Sequence, residues 1–140
     1  MNELLKKITG KKEKLDSFRP LPLELVKNLD EWFRVELTYT SNAIEGNTLS
    51  RQETALVVEK GITVDGKSIT EHLEATNHAK AIDYIKSLAQ AKRAKLNESD
   101  VLSLHRLILQ KIDDVNAGKY RTVAVRIAGS EVILPNALKV

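Results

Sequence analysis

Apolar positions recur at helical spacing along most of this chain. From Asn2 to Phe18, Leu4, Leu5, Ile8 and Leu15 fall on one side of a helical wheel, which predicts an amphipathic helix weakened by Gly10. Arg19-Pro20-Leu21-Pro22 interrupts the pattern as a short linker, and Pro22 suits a first-turn position. Val26, Leu29, Phe33 and Leu37, three and four apart, predict a second helix from Leu23 to Tyr39. Ser41 to Asn47 continues it as a short helical piece ending near Gly46. Ser50 followed by Glu53, and Ser68 followed by Glu71, are capping boxes, in which a serine and a glutamate three residues on satisfy each other's free backbone N–H groups. The first should open a helix stopping at Gly61, where glycine can take a left-handed cap. After a turn at Val64 to Lys67, the second should open a helix to about Gln90 that buries Leu73, Ala81, Ile85 and Leu88. Asn97 or Ser99 should cap a helix from Asp100 to Ile112, with Val101, Leu104, Leu107 and Ile108 inward.

The tail changes period. Thr122 to Ile127 alternates and is β-branched, Glu131 to Leu134 is a second short run, and Ala128-Gly129-Ser130 lies between them. This predicts a β-hairpin. The expected fold is therefore mainly α, a partial helical bundle with one β-hairpin near the C-terminus. A helical region over residues 1–60 should continue into a second over 61–140, as one compact unit.

Composition narrows the chemistry. The chain has 140 residues, enough for one domain with a core, and is 42% hydrophobic but only 4% aromatic, so aliphatic side chains must fill that core. A net charge of +3 is too small to argue for a nucleic-acid partner, and the lysines near the start read as a solvated helix face. There is no cysteine, which excludes disulfides and thiolate metal sites and fits a reducing cytoplasm. No stretch approaches the ~18 apolar residues that a membrane span needs. The first residues, Met1 to Gly10, are too polar for a signal-peptide core.

Three segments together resemble the Fic family, whose members transfer AMP from ATP to a protein hydroxyl. Ser41-Asn42-Ala43-Ile44-Glu45-Gly46-Asn47 matches the family's inhibitory motif: Ser or Thr, three residues, Glu, then Gly or Asn. Leu104-His105-Arg106-Leu107, followed by Gly118-Lys119-Tyr120-Arg121, looks like the entry to the Fic core. Val123 to Pro135 looks like the family's flap. The order and separations are also the family's, over roughly residues 25–140. The family's catalytic motif, His-Pro-Phe, two residues, then Gly-Asn-Gly-Arg with a further Arg, is not in this sequence. The chain is read as ending before it.

The resemblance implies roles. Ser41, Glu45, Gly46 and Asn47 form the inhibitory set. Ser41 and Glu45, four apart, share a helix face, and the hydroxyl can orient the carboxylate. Its implied partner is the second arginine of the catalytic motif, which otherwise grips the γ-phosphate of ATP. Charges ~4 Å apart at an effective dielectric of ~20 interact by about 4 kcal/mol before desolvation, enough to displace the phosphate. Ile127, Ala128, Gly129 and Ser130 are the implied nucleotide-proximal tip. Val123, Val125, Ile127, Val132, Ile133 and Leu134 are the expected docking edge for a target peptide carrying a modifiable Ser, Thr or Tyr hydroxyl. No catalytic or metal-binding residue is assigned. ATP and Mg²⁺ are expected for the parent protein and not for this chain alone.

Other candidates read as structural. His72, His78 and His105 lack the context of the family's base, and Glu74 with His78 has no third ligand. Asp113 and Asp114 read as turn residues, and Tyr120 and Arg121 as anchors of the flap's start. The expected function is the regulatory and target-docking part of a self-inhibited protein adenylyltransferase, inactive by itself. The alternative is an antitoxin-like module that supplies Glu45 to a separate Fic core. Apolar helix faces left uncovered should favour a homodimer.

Overall fold

The computed structural model describes residues 2–91 and 95–135. Its elements are α1 (Asn2–Asp16), α2 (Leu23–Ile44), α3 (Arg51–Ala55), α4 (Ile69–Gln90) and α5 (Glu98–Leu109). α3 widens without a break into a π-helical turn, Leu56–Lys60. Gly61 closes this turn in the left-handed conformation (φ 65°), returning its N–H to the Val57 carbonyl.

Both predicted capping boxes form, and of the two candidates before α5 it is Asn97 that caps it. Ser50 and Glu53, Ser68 and Glu71, and Asn97 and Asp100 each exchange side-chain and backbone bonds as reciprocal capping boxes. The Ser50 contacts hold the Glu53 carboxyl below the usual range.

The chain divides at Phe33/Arg34, inside α2. The first unit holds α1 and the start of α2. Lys12 pairs with Asp16 at 2.6 Å, and Trp32 meets Phe33 edge to face at 4.9 Å. Leu4, Leu5, Ile8 and Leu15 are all exposed, so the predicted apolar stripe of α1 is present and uncovered.

In the second unit, Leu49, Val57 and Ala75 form the buried centre, with Val58 and Val64 packed against it. α4 packs along α5. Asn77, almost wholly buried on α4, donates to the carbonyls of Ile108 (3.1 Å) and Gln110 (2.7 Å), thereby satisfying groups that the end of α5 leaves free. Tyr84 donates to Asp100 at the other end of α5. Of the positions expected inward on α4 and α5, Ala81 is buried and Leu73, Leu88, Leu104 and Leu107 are partly buried, whereas Ile85, Val101 and Ile108 are exposed. Helical periodicity marks an apolar face; pairing two helices covers only a stripe of it.

After α5 the chain turns back onto it. Gly118 (φ 71°) lies so close to Arg106 that a Cβ would sit 2.8 Å from its Nε, and the Gly118 N–H donates to His105 Nδ1 at 3.1 Å. Asp113 accepts from the Asn116 side chain and Asp114 from the Lys111 N–H, so both acids serve this turn, as expected. Hydrogen bonds from Asn116 hold the Asp113 carboxyl below its ordinary range.

The expected β-hairpin is absent. No strand occurs among the described residues, and 123–135 is a loop with one turn at Ala128-Gly129. Ser130 N–H to the Ile127 carbonyl (3.1 Å) is its one backbone–backbone bond among the described residues, and no ladder joins Val123–Ile127 to Glu131–Leu134. Alternation and β-branching favour a pleated surface that is half buried. An isolated two-strand ribbon with both faces exposed lacks the packing that makes the ladder stable.

Candidate regulatory site

Ser41 to Asn47 is the end of α2. The helix closes as a Schellman motif: Asn47 N–H bonds back to the Asn42 carbonyl at 2.9 Å and Gly46 N–H to Ala43 at 3.2 Å. Gly46 has φ 95°, a conformation costly for any residue with a Cβ, which gives a local reason for glycine after the glutamate. Glu45 is thereby the C-cap residue. Its side chain is exposed and makes no hydrogen bond or ion pair among the described residues, and the last turn of α2 has no basic residue. A carboxylate here faces the negative end of the helix dipole, which disfavours it by about 0.3–1 kcal/mol. Ser41 is half-buried and does not bond Glu45, so the expected serine–carboxylate contact is not formed. Beside it, the Asn42 Nδ2 is buried without a partner among the described residues.

The residues just past the helix are tied to α4. Asn47 Nδ2 donates to the Glu71 carbonyl (3.0 Å) and to Glu74 Oε2 (2.8 Å), while its Oδ1 accepts from Leu49 N–H. Thr48 donates to Glu71 Oε1 through both its hydroxyl (2.6 Å) and its N–H (2.9 Å). Glu71 Oε2 meanwhile caps α4 through Ser68. These donors, the Thr48 hydroxyl first, hold the Glu71 carboxyl down at about 2. Lys67 Nζ adds a bond to the Thr48 carbonyl at 2.6 Å.

Sequence reading missed Thr48, Lys67 and Glu74 as supports, and took Glu71 for a cap only. The adjacency of two capping boxes was the available signal. A cap acid has two oxygens, and the second is free for a partner distant in sequence.

Lower on the same helices, Arg34 forms a forked pair with Asp83, at 2.9 Å for its shortest contact, and Thr38 Oγ1 lies 3.2 Å from His78 Nδ1. Burial pushes the His78 imidazole below its usual range. His72 Nε2 accepts from Val64 N–H (2.8 Å), so the Nδ1 carries the proton given to the Ser68 carbonyl. His72 and His105 are thus both tied to backbone. Glu74 is engaged with Asn47, and no cluster of three potential metal ligands occurs among the described residues.

The tip residues Ile127 to Ser130 are exposed, and Gly129 takes φ 75° in the turn. Val123, Val125, Ile127, Val132 and Ile133 are exposed and Leu134 is partly covered. Ser130 Oγ accepts from Val132 N–H. No hydrogen bond or ion pair joins 41–47 to 123–135 among the described residues. A cavity of about 430 Å³ lies at the foot of this loop, lined by Val101, Leu102, His105, Asn116, Lys119, Tyr120 and Arg121. No helix among the described residues is long and apolar enough to cross a membrane.

No family model matches the chain. It is 34% identical over 90% of its length to the protein adenylyltransferase Fic of Nematostella vectensis. Among solved structures, a Fic-domain signaling protein from Bacteroides thetaiotaomicron superposes with a TM-score of 0.74 at 34% identity, over 81% of this chain and 43% of that one. Fic-1 from Caenorhabditis elegans gives 0.72 at 32% identity, over 86% of this chain and 38% of that one. The chain spans less than a third of the curated relatives it matches, 29% of the Nematostella protein and 24% of one from Culex quinquefasciatus.

Proposed function

Since this chain belongs to the Fic family, we propose that it is the regulatory and target-docking portion of a self-inhibited protein adenylyltransferase. Glu45 is the inhibitory group, offered to an arginine of the catalytic motif so that the γ-phosphate of ATP cannot take its productive place. The observation that carries this reading is the setting of the Glu45 carboxylate. It caps the wrong end of a helix dipole, has no partner among the described residues, and stands on a turn that Asn47 and Thr48 fasten just beyond it. An acid with no local benefit on a rigid support suits a role outside the local fold. Ser41 contributes to the face that approaches the catalytic segment, while Gly46 and Asn47 set the turn. The 123–135 loop, with its tip at Ile127 to Ser130, lies over the nucleotide in this reading and presents Val123, Val125, Val132, Ile133 and Leu134 to a target peptide. ATP and Mg²⁺ enter with the longer protein, a partner protein supplies the hydroxyl, and the cytoplasm is the compartment.

The test uses the chain continued through a catalytic motif. Replacing Glu45→Gly should raise incorporation of labelled AMP from ATP by ten-fold or more, since a paired carboxylate and arginine are worth about 1.4 kcal/mol or better. A folded, active protein in which incorporation stays at the parent level would remove Glu45 from this role.

A further inference from the structure

The 123–135 loop lacks a ladder, yet its two ends are held at one point. Arg121 Nη1 donates to the Val123 carbonyl at 2.8 Å and Nη2 to the Pro135 carbonyl at 2.7 Å. We infer that Arg121 is the positioning residue that closes this loop, a single guanidinium taking the place of the strand pairing that the sequence pattern suggests. The inference rests on the flap reading for its functional consequence, but closure itself does not.

The chemistry favours arginine specifically. A planar fork with fixed N–H directions can donate to two carbonyls at once without rearranging. A lysine is a point donor on a flexible stem and holds two separated acceptors less well. The base beneath the clamp is itself fixed. Gly118 is locked against Arg106 and His105, and Lys119 donates to the Val115 carbonyl at 2.7 Å, so Arg121 projects from an anchored turn. Within the loop the internal bonds all lie near the tip, from Ile127 to Val132, leaving the two arms joined only through Arg121 among the described residues. Loss of the clamp therefore frees the arms without disturbing the tip turn. A docking surface with mobile arms must be ordered by its target, which weakens target binding and leaves chemistry on bound target unchanged.

The experiment follows trypsin cleavage after Arg126, inside the loop, in the 140-residue protein, with Arg121→Lys and Arg121→Ala. Both variants should be cut at Arg126 about ten times faster than the parent, the effect of losing the charge-assisted bond to Pro135 that spans the loop, with cleavage at Lys60 and Lys86 unchanged. Lysine keeps the charge, so failure of Arg121→Lys to restore protection separates the fork from simple electrostatics. Parent-like cleavage in both variants overturns the inference. So does a uniform rise at all three sites with a lowered Tm, which would make Arg121 a support of the whole fold. In the catalytically complete protein, Arg121→Lys should raise KM for target severalfold at nearly constant kcat. Parent-like KM with faster cleavage would keep the clamp and remove its role in docking. The response to Glu45→Gly is read separately, so failure of the inhibitory reading does not affect either outcome.

Discussion

The turn at Gly46–Thr48 and the loop at 123–135 both carry functional candidates, and they are held in different ways. The turn is fastened across sequence distance: Asn47 and Thr48 reach Glu71 and Glu74 on α4, and Lys67 returns to the Thr48 carbonyl. The loop is held at its foot by one arginine, with every large apolar side chain of its arms exposed except Leu134. The first arrangement fixes the backbone of the turn on which Glu45 stands. The second fixes only where a segment begins and ends, which suits a surface that adapts to a peptide. If the proposed roles hold, a carboxylate aimed at one arginine gains from the former and a peptide-docking edge tolerates the latter.

The largest break in this contrast should come from Asn47→Ala. It removes three bonds, one of them to an ionised carboxylate, and should cost about 2–3 kcal/mol of stability in urea unfolding. A loss within about 0.5 kcal/mol would mean that the turn is no better fastened than the loop.

Acid should then separate the two regions. The Glu71 carboxyl is held at about 2, below the ordinary glutamate value of 4.5. A depressed folded value means that its contribution is complete above about 4.5 and is lost as pH falls toward about 2. The Thr48 amide resonance of the folded protein should therefore titrate with its midpoint at the low end of that window, at about 2, while Val123, bonded through a carbonyl and a guanidinium that do not ionise there, stays unchanged. Glu71→Gln should abolish the Thr48 titration; a Val123 amide that moves in parallel would erase the distinction.

The smallest effect concerns Glu45. Glu45→Gln removes a charge from the wrong end of α2 and should stabilise the chain by about 0.3–1 kcal/mol, read as a rise in Tm. Destabilisation would show that the carboxylate already has a favourable local role, and would weaken the case for a distant partner.

Local chemistry was legible where a few adjacent residues close their own hydrogen bonds. Ser50 with Glu53 and Ser68 with Glu71 could be read as caps because donor and acceptor lie three residues apart on a geometry that a helix imposes, whereas the choice of Asn97 over Ser99 came from the structure. Gly61 and the glycine that ends α2 were legible locally as well. The sequence motifs also pointed to the family, because the residues carrying them lie in short contiguous words. Yet the pairing of Asn77 with the end of α5, or of Thr48 with Glu71, joins residues 31 and 23 positions apart that no local period relates. The loop shows the converse: alternation in 122–127 states which residues would suit a strand, but a strand is stabilised by neighbours and by burial of a face, and those are properties of the assembled chain. What the sequence determined alone was therefore the set of helices, most of their caps and the family word from Ser41 to Asn47. Which side chains hold that word in place, which apolar faces are covered, and whether the tail forms a ladder were decided only in three dimensions, since each depends on groups brought together by the fold.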